Sequence, residues 1–225
     1  MTLDTALRAS EVLLALAFLQ SSAEHMFGPL RQWRLMAPRA VAALLVLLGT
    51  ATDAALLGLT LHSLVPLHRF DGPYNGGSDR MGLLVLYGVT LAAWVPGVAP
   101  VAIGYVGVQL VLSYVVAGLV KLQNPAWRSG QALRDVFAFS AYPVAENLRR
   151  LARQGRLLRA ASWAVMGLEV LFPVALFFQG TLFAALIATM VFHLANACLF
   201  GLNRFVWAWA AAYPSVIWLQ SAAFA

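Results

Sequence analysis

The 225-residue chain is 61% hydrophobic and 11% charged, with a mean hydropathy of +0.78. An ordinary soluble domain carries about 25% charged residues, so this composition excludes a soluble enzyme and calls for lipid around most of the surface. The net charge of +6 does not point to nucleic acid. Lys121 is the only lysine among 15 basic residues, and the arginines stand at the ends of apolar runs, where a membrane protein places them. The expected fold is all-α: a polytopic helical membrane protein with six to seven transmembrane helices of about 20 residues each. It is read as one domain over residues 1–225, with an amphipathic interfacial segment at about 123–159.

In chain order, the first expected span runs from Ser10 to Phe27 and is the weakest, because it holds Glu11, Gln20, Glu24 and His25. Its apolar run, Val12 to Leu19, follows an acidic residue and lacks a small-residue cleavage site, so no cleavable signal peptide is expected. A basic loop follows, and Pro38 suits the first turn of a second helix. That helix is expected from Val41 to His62, with Asp53 inside it. Leu67 to Arg80 is rich in Gly, Pro, Asn and Asp and reads as an ordered turn or re-entrant loop. Spans are then expected over Met81–Val95 and Val101–Leu122. The Arg-rich interfacial stretch comes next. Further spans are expected over Ala160–Phe178, Thr181–Leu202 and Phe205–Phe224, the last kinked at Pro214. With seven crossings, eleven arginines share the N-terminal side and only Arg31, Arg34 and Arg39 face the other, which puts the N-terminus in the cytoplasm.

Ionisable groups within apolar runs are costly and mark functional candidates. Here they are Asp53, Lys121, Glu169 and His193. Asp53 and Glu169 are expected to face the bundle interior, in a site or simply paired with a neighbouring helix. His193 and Asn196 share a helix face, and Asn203 falls near it. Such a stripe serves either as interhelical glue or as the wall of a buried site. Lys121 has two readings as well. It snorkels at the end of its span, or it is buried and able to release a proton, as arginine cannot; a carboxylate such as Glu169 nearest the amine would instead hold it charged, as a structural ion pair. The four histidines and the single Cys198 show no metal-ligand spacing, and Asn75-Gly76-Gly77 is turn chemistry rather than a phosphate loop.

Three blocks resemble the horizontally transferred transmembrane (HTTM) domain shared by vitamin K-dependent gamma-glutamyl carboxylases and their bacterial relatives. They are YNGGSDRMGLL (Tyr74–Leu84), YVVAGLVKLQNPAWRSGQAL (Tyr114–Leu133) and FHLANACLFGLNRF (Phe192–Phe205), the last followed by Tyr213-Pro214. In that family the lysine of the second block is the proposed base that deprotonates vitamin K hydroquinone. The resemblance therefore implies Lys121 as catalytic base. It also implies a substrate or cofactor pocket lined by Tyr74, Asn75, Tyr114, Trp127, His193 and Asn196. The implied cofactor is a reduced, vitamin K-like quinone, with no metal.

Two departures shape the expectation. Gly77 stands where the carboxylases carry a catalytic histidine, and their large peptide-gripping domain outside the membrane has no match in these residues. Quinone handling is thus expected to persist without glutamate carboxylation. The alternative is a non-enzymatic membrane factor for maturation or export of a small peptide. Standalone bacterial relatives of that kind help mature a sporulation-delaying peptide toxin. Either way the expected partners are the lipid bilayer and a lipophilic quinone or small peptide, with no nucleic acid. The expected location is a bacterial cytoplasmic membrane. A transporter fits less well, because no internal repeat is visible.

Overall fold

The computed structural model describes residues 1–29, 31–69, 76–139 and 146–224. Among the described residues the chain is all-α, without strands. The helices are α1 (Leu3–Phe27), α2 (Trp33–Leu48), α3 (Thr52–Arg69), α4 (Gly77–Trp94) and α5 (Ala99–Gln123). Then come two short ones, α6 (Pro125–Ser129) and α7 (Gln131–Phe139), and a 3₁₀ segment, Glu146–Arg153. They are followed by α8 (Gly155–Leu171), continued as 3₁₀ over Phe172–Phe177, and by α9 (Gln179–Phe200) and α10 (Asn203–Phe224).

Three described helices are long and apolar enough to cross a membrane, fewer than the six to seven expected. They are α5, α8 with its 3₁₀ extension, and α9. The expected second span shows one cause. Gly49 and Ala51 both adopt left-handed backbone, at φ 72° and 49°. The helix therefore stops and restarts, and the 16-residue α2 reaches only about 24 Å at about 1.5 Å per residue, short of a hydrocarbon core about 30 Å thick. Pro38 lies inside α2 rather than in its first turn, since the helix begins at Trp33. The expected turn at Leu67–Arg80 is narrower than its composition suggests. Helix α3 runs through Pro66 to Arg69 and α4 begins at Gly77.

The apolar helices turn bare hydrocarbon outwards. On α9, Ile187, Val191 and Leu194 are 65%, 60% and 45% exposed. Their four- and three-residue spacing makes one stripe along the helix. In water such a stripe is unfavourable; in lipid it is the solvated face.

The chain falls into two compact units, Met1–Val108 with Trp207–Ala225, and Gln109–Val206. In the first, α1 packs on α2 and α4, and α3 packs on both α2 and α4. Leu14, Met36, Leu56, Val85 and Leu86 are fully or almost fully buried there. Small residues permit the close approaches. A Cβ on Gly88 would sit 2.6 Å from Val106 Cγ2, and one on Gly107 3.0 Å from the Ser215 carbonyl. Hydrogen bonds between Thr60 and Thr90 (2.9 Å) and between Ser63 and Tyr87 (3.0 Å) join α3 to α4.

Arg8 ties the end of α2 to α1. Its Nη1 donates to the Val46 carbonyl and its Nη2 to the Leu47 carbonyl, each at 2.9 Å, and Nη1 also meets Glu11 at 3.0 Å. A cation at a helix C-terminus satisfies carbonyls and opposes the negative end of the helix dipole. Arg8→Ala should therefore lower stability by about 1–2 kcal/mol, read as a lower thermal midpoint of the detergent-solubilised protein. Arg8→Lys should recover part of the loss, because a point charge replaces a two-pronged donor. An unchanged midpoint for Arg8→Ala would show that α2 does not depend on this clamp.

Candidate functional site

The candidate site lies in the second unit and begins with a glycine. Gly118 on α5 faces α8 so closely that a Cβ there would sit 2.7 Å from Val170 Cγ2 and 2.9 Å from both Glu169 Cβ and the Val170 nitrogen. Lys121 is three residues further on and shares that face. Its Nζ lies 2.7 Å from both carboxylate oxygens of Glu169, a two-pronged ion pair. The carboxylate side chain is 4% exposed and the lysine 18%, so the pair is buried on the acid side and reachable on the amine side.

The turn after α5 brings an aromatic ring to the amine. Asn124 caps α6 through its side-chain oxygen, which accepts from the Ala126 nitrogen at 2.9 Å, and Pro125 fixes the first helical position. Gly130 ends α6 at φ 81°, where a Cβ would sit 2.7 Å from Arg159 Cα. Ser162 then donates to the Trp127 carbonyl, and Trp163 Nε1 to that of Arg128 at 3.1 Å. Helix α6 is thereby pinned on α8, and the Trp127 ring centre stands 5.3 Å from Lys121 Nζ, within cation–π range.

An open groove runs along α5 to this point. It is lined by Gln109, Leu112, Ser113, Val116, Ala117, Val120, Lys121 and Trp127. Apolar side chains dominate it, with Gln109 and Ser113 as polar exceptions towards one end and the charged amine at the other. At the charged end, the ammonium can donate to an oxygen or hold a negative charge, and the carboxylate can take a proton.

A second polar layer lies elsewhere in the same unit. Tyr114 Oη and His193 Nε2 are hydrogen-bonded at 3.0 Å, and both residues are buried. The Phe172 ring lies 4.6 Å from that of Tyr114, and Phe205 stacks on His193 at 6.2 Å. Tyr114 precedes Lys121 by seven residues, a rise of about 10 Å along α5.

The residues expected at the site thus separate. Lys121, Trp127 and Glu169 come together, and the nearest partner of the amine is Glu169, the arrangement expected of a structural ion pair rather than of a free amine. Tyr114 and His193 pair with each other. Asn196 is half-buried on α9, one turn beyond His193. Asn203 leaves the expected stripe, because Gly201 ends α9 at φ 70° and Asn203 begins α10. Tyr74 and Asn75 lie outside the described residues. Glu169 faces the interior as expected, but Asp53 is exposed. The left-handed Ala51 restarts the helix just before it, so Asp53 becomes a first-turn carboxylate at the positive end of α3. Sequence reasoning missed Gly118, Gln109, Ser113 and Ala117. Gly118 had a signal, a glycine three residues from the only lysine. The others had none beyond helical spacing from it.

A family model described as the HTTM domain matches residues 96–219, just over half of the chain and all of this site. No curated protein and no solved structure matches the chain.

Removing one member of a buried ion pair leaves the other uncompensated, whereas removing both is often nearly neutral. Lys121→Met should therefore cost about 3–5 kcal/mol of stability, seen as a large fall in thermal midpoint in detergent. The double variant Lys121→Met, Glu169→Leu should return to within about 1 kcal/mol of the parent. Additive losses in the double variant would mean that the two side chains do not interact.

Proposed function

The chain belongs to the HTTM domain family, and from that premise we propose a membrane-embedded, carboxylase-like protein that handles a lipophilic hydroquinone, with Lys121 as the base. The observation that carries this reading is the placement of the Lys121–Glu169 pair at the end of an apolar groove, beside the face of Trp127. The donor set fits such a head group, offering an aromatic face, a cation for oxygen and a pair able to exchange a proton. A reduced quinone would supply an acidic phenolic hydroxyl and the capacity to react with oxygen.

The chain's own residues do the rest. An ammonium bonded to two carboxylate oxygens at 2.7 Å has no free lone pair. Lys121 becomes a base by passing one proton from Nζ to Glu169 across that contact. The neutral amine would then be able to take a proton from a hydroxyl held beside Trp127, and the ammonium restored at Nζ would stay to hold that oxygen, with Glu169 keeping the first proton. One proton leaves the hydroxyl and the pair gains one. Trp127 would orient the ring, and Val116 and Val120 would offer apolar contact along the groove.

The same reading places the protein in a bacterial cytoplasmic membrane with its N-terminus inside, as the arginine distribution favours. The less apolar helices α1, α3, α4 and α10 would complete a bundle of six to seven crossings. A second reading, a non-enzymatic factor for maturation or export of a small peptide, is favoured by one observation. The two-pronged contact to Glu169 suits a fixed structural charge.

Turnover and retention of quinone separate the two. The purified full chain should retain a quinone detectable by mass spectrometry and should turn over added vitamin K hydroquinone in nanodiscs. Lys121→Arg keeps the charge but cannot release a proton. It should leave the thermal midpoint unchanged and reduce turnover by at least about 100-fold. A fully active Lys121→Arg protein would remove Lys121 as the base. Absence of both retention and turnover in the parent would leave the peptide-factor reading standing.

A further inference from the structure

The arginines between α5 and α8 are not used by the candidate site. Arg134, Arg150, Arg153, Arg156 and Arg159 are all exposed. They sit on α7, on the 3₁₀ segment and on the start of α8, and these three elements pack on one another. The nearby acids do not neutralise them. Asp135 accepts from Gln131 at 2.6 Å, and Glu146 is taken by the half-buried Arg149 at 2.7 Å. Among the described residues no carboxylate lies within ion-pair distance of Arg153, Arg156 or Arg159.

Nor do these charges stabilise their own helix. Arg156 and Arg159 stand at the beginning of α8, where no acidic residue accompanies them. That is the positive end of the helix dipole, at which cations are unfavourable. Such a concentration of positive charge calls for an anion from outside the chain.

Position and flanking residues say which. The stretch joins the end of α5 to the start of α8, two of the helices long and apolar enough to cross a membrane. It therefore lies at a membrane surface when they cross. Large apolar side chains stand exposed beside the arginines, with Phe139 80%, Leu157 56% and Trp163 45% exposed. Phe137, on the opposite face of α7, is buried against Phe200 at 5.0 Å. A nucleic acid or an acidic peptide would meet the charges and leave the apolar groups in water. A lipid surface satisfies both, the phosphates taking the guanidinium groups in paired hydrogen bonds and the acyl boundary taking Phe139 and Leu157.

We propose that the exposed arginines of α7, of the 3₁₀ segment and of the start of α8 form a binding surface for anionic phospholipid, seated on the phosphate headgroups of the leaflet at which α5 ends and α8 begins.

The test uses the full chain in detergent, titrated with phosphatidylglycerol or phosphatidylcholine and read by native mass spectrometry. An arginine near an anionic surface contributes about fivefold in affinity. The parent should prefer phosphatidylglycerol, and the preference should fall as salt is raised. In the triple variant Arg150→Gln, Arg153→Gln, Arg156→Gln the preference should shrink on the order of a hundredfold. The thermal midpoint of the variant reports its folding. If the variant does not fold, the salt dependence of the parent decides. A parent that binds both lipids equally overturns the proposal, as does a preference that is insensitive to salt or unchanged in a folded variant. So does tighter binding of a 20-mer oligonucleotide or of polyglutamate than of phosphatidylglycerol.

Discussion

A carboxylate taken out of water has to meet a positive charge at contact distance or give up its own. In the Gln109–Val206 unit that requirement falls on Glu169, and Lys121 meets it with both oxygens engaged at 2.7 Å. The contact is possible because Gly118 lacks a side chain. With any Cβ there, α5 would stand off from the Val170 backbone, and a lysine three residues away would lose its reach. The same closeness sets the groove wall along α5 and, through Gly130 against Arg159, the place at which α6 turns Trp127 towards the amine. The sequence of dependence runs from two glycines to two helix contacts, then to one ion pair and one ring.

Such a pair is a poor device for stability alone. Well-packed apolar residues of similar volume usually serve as well or better. The Arg8 clamp offers a contrast within the same chain. It is part exposed, donates to the Leu47 carbonyl and adds a second donor at the Val46 carbonyl at the end of α2, so its structural use is evident. Lys121 has no such use. It leaves the end of its helix for a carboxylate on another, at the only place where the described groove meets charge.

The helical class and the approximate position of α4, α5, α8, α9 and α10 were legible because hydropathy and breaker residues are local properties. Pro96-Gly97 marks an end that a reader of the sequence can see, whereas Gly180 lies inside α9 and Gly201 ends that helix within the span expected to run on to Leu202. The break between α2 and α3 was not legible in the same way. Gly49 is an ordinary terminator, but the run of apolar residues across it suggested continuity, and Ala51 in the left-handed region is not foreseeable from its side chain. Asp53 was misplaced for that reason. Lys121 was visible as the only lysine, and its family block strengthened the reading. Its partner was named only as one of two outcomes, because pairing across 48 residues is decided by helix packing. The fine composition of the groove, Gln109 and Ser113 included, depends on which face of α5 is left uncovered, a tertiary property.

Two polar layers in one apolar unit now have different characters. Tyr114 and His193 are both buried and spend their hydroxyl and ring nitrogen on each other at 3.0 Å, enclosed by Phe172 and Phe205. A bond closed in this way holds α5 to α9 and gives a ligand no entry. Lys121 and Glu169 are closed on the acid side and open on the amine side. About two turns of helix separate the layers, so neither side chain of the first reaches the amine of the second. The closed pair therefore braces α5 against α9, whereas the amine of the other pair can be reached from outside.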